Sequence, residues 1–227
     1  GSYKNAFHMF KVLIAREYDR HKDILKNGKI SDSERDLFHS ILNQRAEDAF
    51  YLDSIKFLSD IMVKYYNKNV IILIDEYDVP LENAFHQGFY TDMVNLIRSV
   101  FESALKTNPS LDRAFLTGCL RVSKESIFTG LNNPQIFSIM STKFNDSFGF
   151  TQEDKSSDIA HWYDGYKFND VDIYNPWSVL NYLSEAAEKS SALCKPYWSN
   201  TSSNEIVKRL IEESNNRTKN AIEELIN

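Results

Sequence analysis

The stretch Val70 to Pro80, VIILIDEYDVP, constrains this chain more than any other. Five apolar residues run without interruption into Asp75, Glu76 and Asp78. A run this short and this rich in β-branched residues predicts a strand buried on both faces, as in a parallel sheet covered by helices. Ligands of such sheets bind outside the carboxyl ends of the strands, and Asp75 and Glu76 stand at that end. An apolar strand followed by Asp-Glu is the pattern of a Walker B motif. There the first acid holds Mg²⁺ or its water shell, and the second polarises an attacking water. Adjacent residues on a strand point to opposite sides, so one carboxylate is expected to face the metal and the next the nucleophile. The competing expectation is a solvated strand end, with Asp78 and Pro80 starting the next helix.

The flanking sequence supplies the helices such a sheet needs. Residues 3–27 carry Phe7, Phe10, Ile14, Tyr18 and Ile24-Leu25 at helical spacing, stopped at Gly28. Ser31 with Glu34 is a capping box that opens a second helix to about Gln44. A third is expected over 49–66. Helical spacing returns from Phe89 to Lys106, and a second apolar run, Ala114–Thr117, ends at Gly118. Strand, helix and strand in about fifty residues make a βαβ unit with parallel strands. Thr117 and Arg121, at and after the second strand end, are candidates to sense a γ-phosphate or the attacking water. Beyond this point the chain is aromatic and turn-rich. Asp164-Gly165 between two aromatic segments reads as a hairpin turn, and Asn175-Pro176 opens a helix.

Composition narrows the function. The chain has 227 residues and a net charge of −6, which does not indicate nucleic-acid binding by this stretch. No apolar run approaches the ~20 residues of a membrane span. Cys119 and Cys194 form no CxxC pair, which fits a reducing, cytoplasmic setting. Gly1-Ser2 reads as a cloning scar. With only 7 glycines, the sole Gly-Lys pair is Gly28-Lys29, at a helix end, where no phosphate loop fits. His86 and His161 lack partners at zinc-ligand spacing. Trp162, Tyr163, Tyr166 and Tyr174 suit the core of a small lobe better than a base-stacking platform.

Taken in order, LIDEYDVPLENAF, LTGCLRVSKESIFTGLNNPQIFSI, FGFT, WYDGYKF, YNPWSVLNYL and YWSNTSSN resemble the AAA-ATPase-like family of bacterial and archaeal proteins, P-loop ATPases often followed by a PD-(D/E)XK nuclease-like domain. The resemblance runs from about Tyr3 to about Leu210. It implies an α/β fold: a truncated P-loop NTPase-like parallel sheet flanked by helices over 3–150, and a smaller, mostly helical lid or winged-helix-like lobe over 151–227. It implies that Asp75 and Glu76 are the Walker B acids, with Asp75 on Mg²⁺, Glu76 catalytic and Arg121 in a sensor-like position; Thr117, from its place at the second strand end, is the further nucleotide-binding candidate. ATP and Mg²⁺ are the implied cofactors. A nuclease-like domain, a protein partner or further copies of the chain are the implied partners. The family's phosphate-binding loop does not appear; the chain reads as starting after it, and the stretch between Thr151 and Trp162 is short for the family. Such a piece is expected to be inactive alone. The alternative is a STAND-like sensor or scaffold that does not hydrolyse nucleotide. A nuclease built on Asp75, Glu76 and Asp78 is disfavoured by the lack of a nearby acid-x-Lys.

Overall fold

Ser31 accepts the Glu34 amide while Glu34 returns a carboxylate oxygen to the Ser31 amide, 2.9 Å away, so the expected capping box opens a helix. The computed structural model describes residues 1–26, 28–118, 127–128, 131, 134–151, 161–188 and 193–197 of this mixed α/β chain. The chain divides into two units, Gly1–Pro134 and Gln135–Asn227.

In the first unit, α1 (Tyr3–Arg20) is followed by a 3₁₀ turn, Lys22–Lys26, and then by α2 (Asp32–Leu42). The helix expected over 49–66 is broken in two, α3 (Asp48–Leu52) and α4 (Ser54–Tyr66), with Asp53 between them. Ile14, Tyr18, Phe38, Ile41, Tyr51, Leu58 and Ile61 bury one another as these helices close. The rings of Tyr18 and Phe38 lie 4.6 Å apart. Tyr18 keeps its hydroxyl inside by donating to the Ser54 carbonyl at 2.6 Å, as a buried phenol must. Burial raises the pKa of that hydroxyl far above the ordinary tyrosine range.

The capping box gives a measurable outcome. Glu34 also pairs with Lys64 of α4. This bond, ahead of those from Ser31, holds its carboxyl below the ordinary value of 4.5. A folded value below the unfolded one means the stabilisation is present above pH 4.5 and lost as pH falls through the folded value. Ser31→Ala should cost about 1 kcal/mol at pH 7, and Glu34→Gln should flatten the acid limb of stability against pH. Chemical denaturation across pH 3–7 measures both.

The chain then enters β1 (Val70–Ile74), crosses through α5 (Val79–Gln87) and α6 (Tyr90–Phe101), and returns as β2 (Leu111–Leu116). A π-turn, Glu102–Lys106, extends α6. The strands are parallel, with Ile72 beside Ala114 and Ile74 beside Leu116; this is the expected βαβ unit, and α5 starts at Asp78 and Pro80, where the competing expectation placed a helix start. Leu81, Ala84, Met93, Val94, Val100 and Phe101 form a second core, against which Ile74 and Leu116 pack.

The expectation that β1 is buried on both faces is wrong. Its burial alternates: Ile71 is 55% and Leu73 75% exposed, beside Phe115 of β2 at 56%. An unbroken apolar run records no periodicity, so it could not show that the helical core lies against one face only.

The second unit carries a hairpin of β3 (Asp164–Phe168) and β4 (Val171–Tyr174), followed by α7 (Pro176–Glu188). The hairpin turn is at Asn169-Asp170, with Asn169 left-handed at φ 52°, not at Asp164-Gly165 as the sequence suggested. Asp164-Gly165 lies inside β3, where the register shifts. Glycine in a strand marks such an irregularity as readily as a turn. Asn175 accepts the Ser178 amide at 2.9 Å and so starts α7 where expected. The aromatic cluster splits: Tyr163 and Tyr174 are buried with Val179, whereas Trp162 and Tyr166 are about half exposed, at 51% and 50%.

Candidate functional site

β1 ends at Ile74, and the next two residues, Asp75 and Glu76, are both exposed. They stand at the carboxyl end of a parallel pair, where ligands of α/β sheets bind. Thr117, the first residue after β2, extends the pairing: its amide donates to the Ile74 carbonyl at 2.9 Å, and its carbonyl accepts the Tyr77 amide at 3.0 Å. Its hydroxyl donates to the Asp75 carboxylate and accepts the Glu76 amide, the latter at 3.2 Å. Three of the four residues singled out from the sequence are therefore held together by one threonine side chain. The fourth, Arg121, lies outside the described residues, as does Cys119.

The two acids do not continue the strand's alternation. Glu76 is left-handed, with φ 51°. The expectation that a strand aims them at opposite faces fails, because the backbone leaves β geometry between them. A left-handed glutamate is costly, roughly 1–2 kcal/mol, and such strain collects at functional positions. The turn closes where the Val79 amide meets the Glu76 carbonyl at 3.2 Å. The Tyr77 ring anchors the turn from below, edge-on to Phe128 at 5.3 Å and to Phe101 at 6.4 Å.

Asp78 departs from its expected role as a cap. It occupies the cap position of α5, but its side chain makes no cap bond there. It is 2% exposed, and its carboxylate is directed at Gly118. The acid cluster thus separates into two solvent-facing groups and one interior group. Periodicity could not reveal this, because a cap and an inward carboxylate occupy the same sequence position.

Among the described residues, neither Asp75 nor Glu76 is in an ion pair, and no group of three His, Cys, Asp or Glu could cage a metal. A nuclease-type centre made of Asp75, Glu76 and Asp78 does not form. Magnesium differs in its needs: it takes one or two carboxylates, several waters and the oxygens of a substrate phosphate. An exposed Asp75 at a strand end fits that donor set. Among the described residues, no helix is long and apolar enough to cross a membrane.

The first unit is thus a mixed α/β arrangement, a parallel βαβ unit with two exposed acids at its carboxyl edge. The chain matches the family model described as "Predicted AAA-ATPase" over residues 3–128 and belongs to the AAA-ATPase-like family. It is also similar to a protein of Azotobacter chroococcum mcd 1 named "Uncharacterized protein in vnfD 5'region", 28% identical over 147 residues. That match covers 59% of this chain and 27% of the relative, so the chain spans about a quarter of the relative's length. No solved structure matches the chain.

Proposed function

We propose that this chain carries the acidic half of a Mg²⁺-ATP site, and that in the whole protein ATP hydrolysis drives a conformational switch. The observation behind this reading is the bridging of Asp75, Glu76 and Thr117 at the carboxyl edge of the parallel pair. Magnesium, when bound with nucleotide, supplies charge neutralisation of the phosphate oxygens. Asp75 is the residue to hold it. Thr117 orients the exposed Asp75 by donating to one of its carboxylate oxygens. Glu76, exposed and held by its own amide, is positioned to accept a proton from water. Arg121 is proposed to sense the phosphate, and a phosphate-binding segment from elsewhere in the protein completes the site.

Membership of the family supports ATPase activity in general terms; the residue roles and the switch are part of the proposal. The test compares the 227-residue chain with the natural full-length protein, using fluorescent ATP binding and phosphate release with and without Mg²⁺. The expected result is Mg²⁺-dependent binding and turnover by the full-length protein and neither by the chain alone. Full-length protein that binds ATP but never releases phosphate would instead be a sensor. Protein that does neither would end the nucleotide reading.

A further inference from the structure

The proposed chemistry gives no part to Asp78, yet burying a carboxylate is expensive and an apolar residue would fill the same place at less cost. Its surroundings point to a reason. Gly118 follows Thr117 directly, and a β-carbon there would stand 2.8 Å from Asp78 Oδ1 and 2.8 Å from Tyr77 Cε1. A β-carbon so placed would force the Asp78 carboxylate or the Tyr77 ring to move. Gly118 is not among the positive-φ glycines, so space rather than torsion demands glycine. Asp78 is also the joint of the turn: its carbonyl accepts the Leu81 and Glu82 amides at 3.0 Å each, starting α5. One and two residues earlier the chain is tied to Thr117 through the Tyr77 and Glu76 amides.

We propose that Asp78 is a positioning residue: its inward carboxylate and the bare backbone of Gly118 interlock the turn after β1 with the end of β2, and this interlock holds Glu76 in its left-handed conformation. The functional consequence rests on the ATPase reading, whereas the interlock rests on the geometry alone. Glu76 holds a costly left-handed backbone, so the turn on either side of it must be fixed, and Asp78 fixes the side that leads into α5. The carboxylate seats the turn at the one place where β2's continuation has no side chain.

Two variants test this separately from the chemistry. Asp78→Ala removes the side chain that seats against Gly118, and Gly118→Ala fills the space it meets. Residue-resolved amide hydrogen exchange on the 227-residue chain should show the Glu76 and Tyr77 amides exchanging at least about tenfold faster in both variants, with Ile72–Ile74 within about twofold of wild type. Unchanged rates at 76 and 77, or an equal rise throughout β1 and α5, would overturn the interlock. In full-length protein that turns over ATP, both variants should lower kcat at least about tenfold with KM within about threefold. An unchanged kcat would overturn the positioning role. A wild type without turnover would remove the ATPase reading, and the exchange rates would still decide the interlock.

Discussion

Glu76→Gln in the full-length protein should abolish ATP turnover while leaving nucleotide binding near wild type. A positioned general base contributes about 10²- to 10⁴-fold, and an amide of the same shape cannot take the proton. Because Glu76 is exposed and is tethered through its backbone to Thr117, the substitution should leave the turn intact. Single-turnover phosphate release and equilibrium nucleotide binding, measured on the same preparation, separate the two effects. A loss of less than about tenfold would remove Glu76 from the chemistry. A companion variant, Glu76→Gly, should lose turnover equally but become more stable by about 0.5–1 kcal/mol, since glycine adopts φ 51° without the clash a side chain brings. Lost activity with gained stability is the signature of strain kept for function.

The largest effect on stability is expected from Phe38→Ala. Phe38 is 0% exposed and packs its ring on Tyr18, between α1 and α2. Truncating a fully buried phenylalanine costs about 3–5 kcal/mol, through lost transfer energy and the cavity left behind. Against a typical total of about 5–15 kcal/mol, that is enough to leave the helical cluster partly unfolded at 37 °C. Urea denaturation followed by far-ultraviolet circular dichroism gives the figure. A cost below about 1 kcal/mol would mean that α1 and α2 do not meet as described. Conversely, Phe38 lies in a different cluster from Leu81 and Val100, so a variant that melts the first cluster tests whether the β1–β2 edge can stand on the second alone.

Much of the local structure was legible because it is written in local chemistry. The Ser31–Glu34 box, the strand at Val70–Ile74 and the helix start at Asn175-Pro176 each depend on residues within a few positions of one another. So does the nomination of Asp75, Glu76 and Thr117, since a strand end places its next residues at the sheet edge whatever the rest of the chain does. The errors have one origin. The apolar run of β1 says that the strand is apolar, but which face meets the helices depends on where α5 and α6 pack. Asp164-Gly165 satisfies turn chemistry as well as Asn169-Asp170 does, and strand register chose between them.

The sequence by itself therefore determined the strand that delivers two acids to an edge, the capping box of α2 and the family those motifs resemble. Only the tertiary structure decided that β1 is covered on one face, that Glu76 is left-handed, and that Asp78 turns inward against Gly118 rather than capping α5. The division follows from range: hydrogen bonds and torsional preferences act between near neighbours, whereas burial and steric exclusion act between residues about forty positions apart in the chain, and no window of sequence contains both partners.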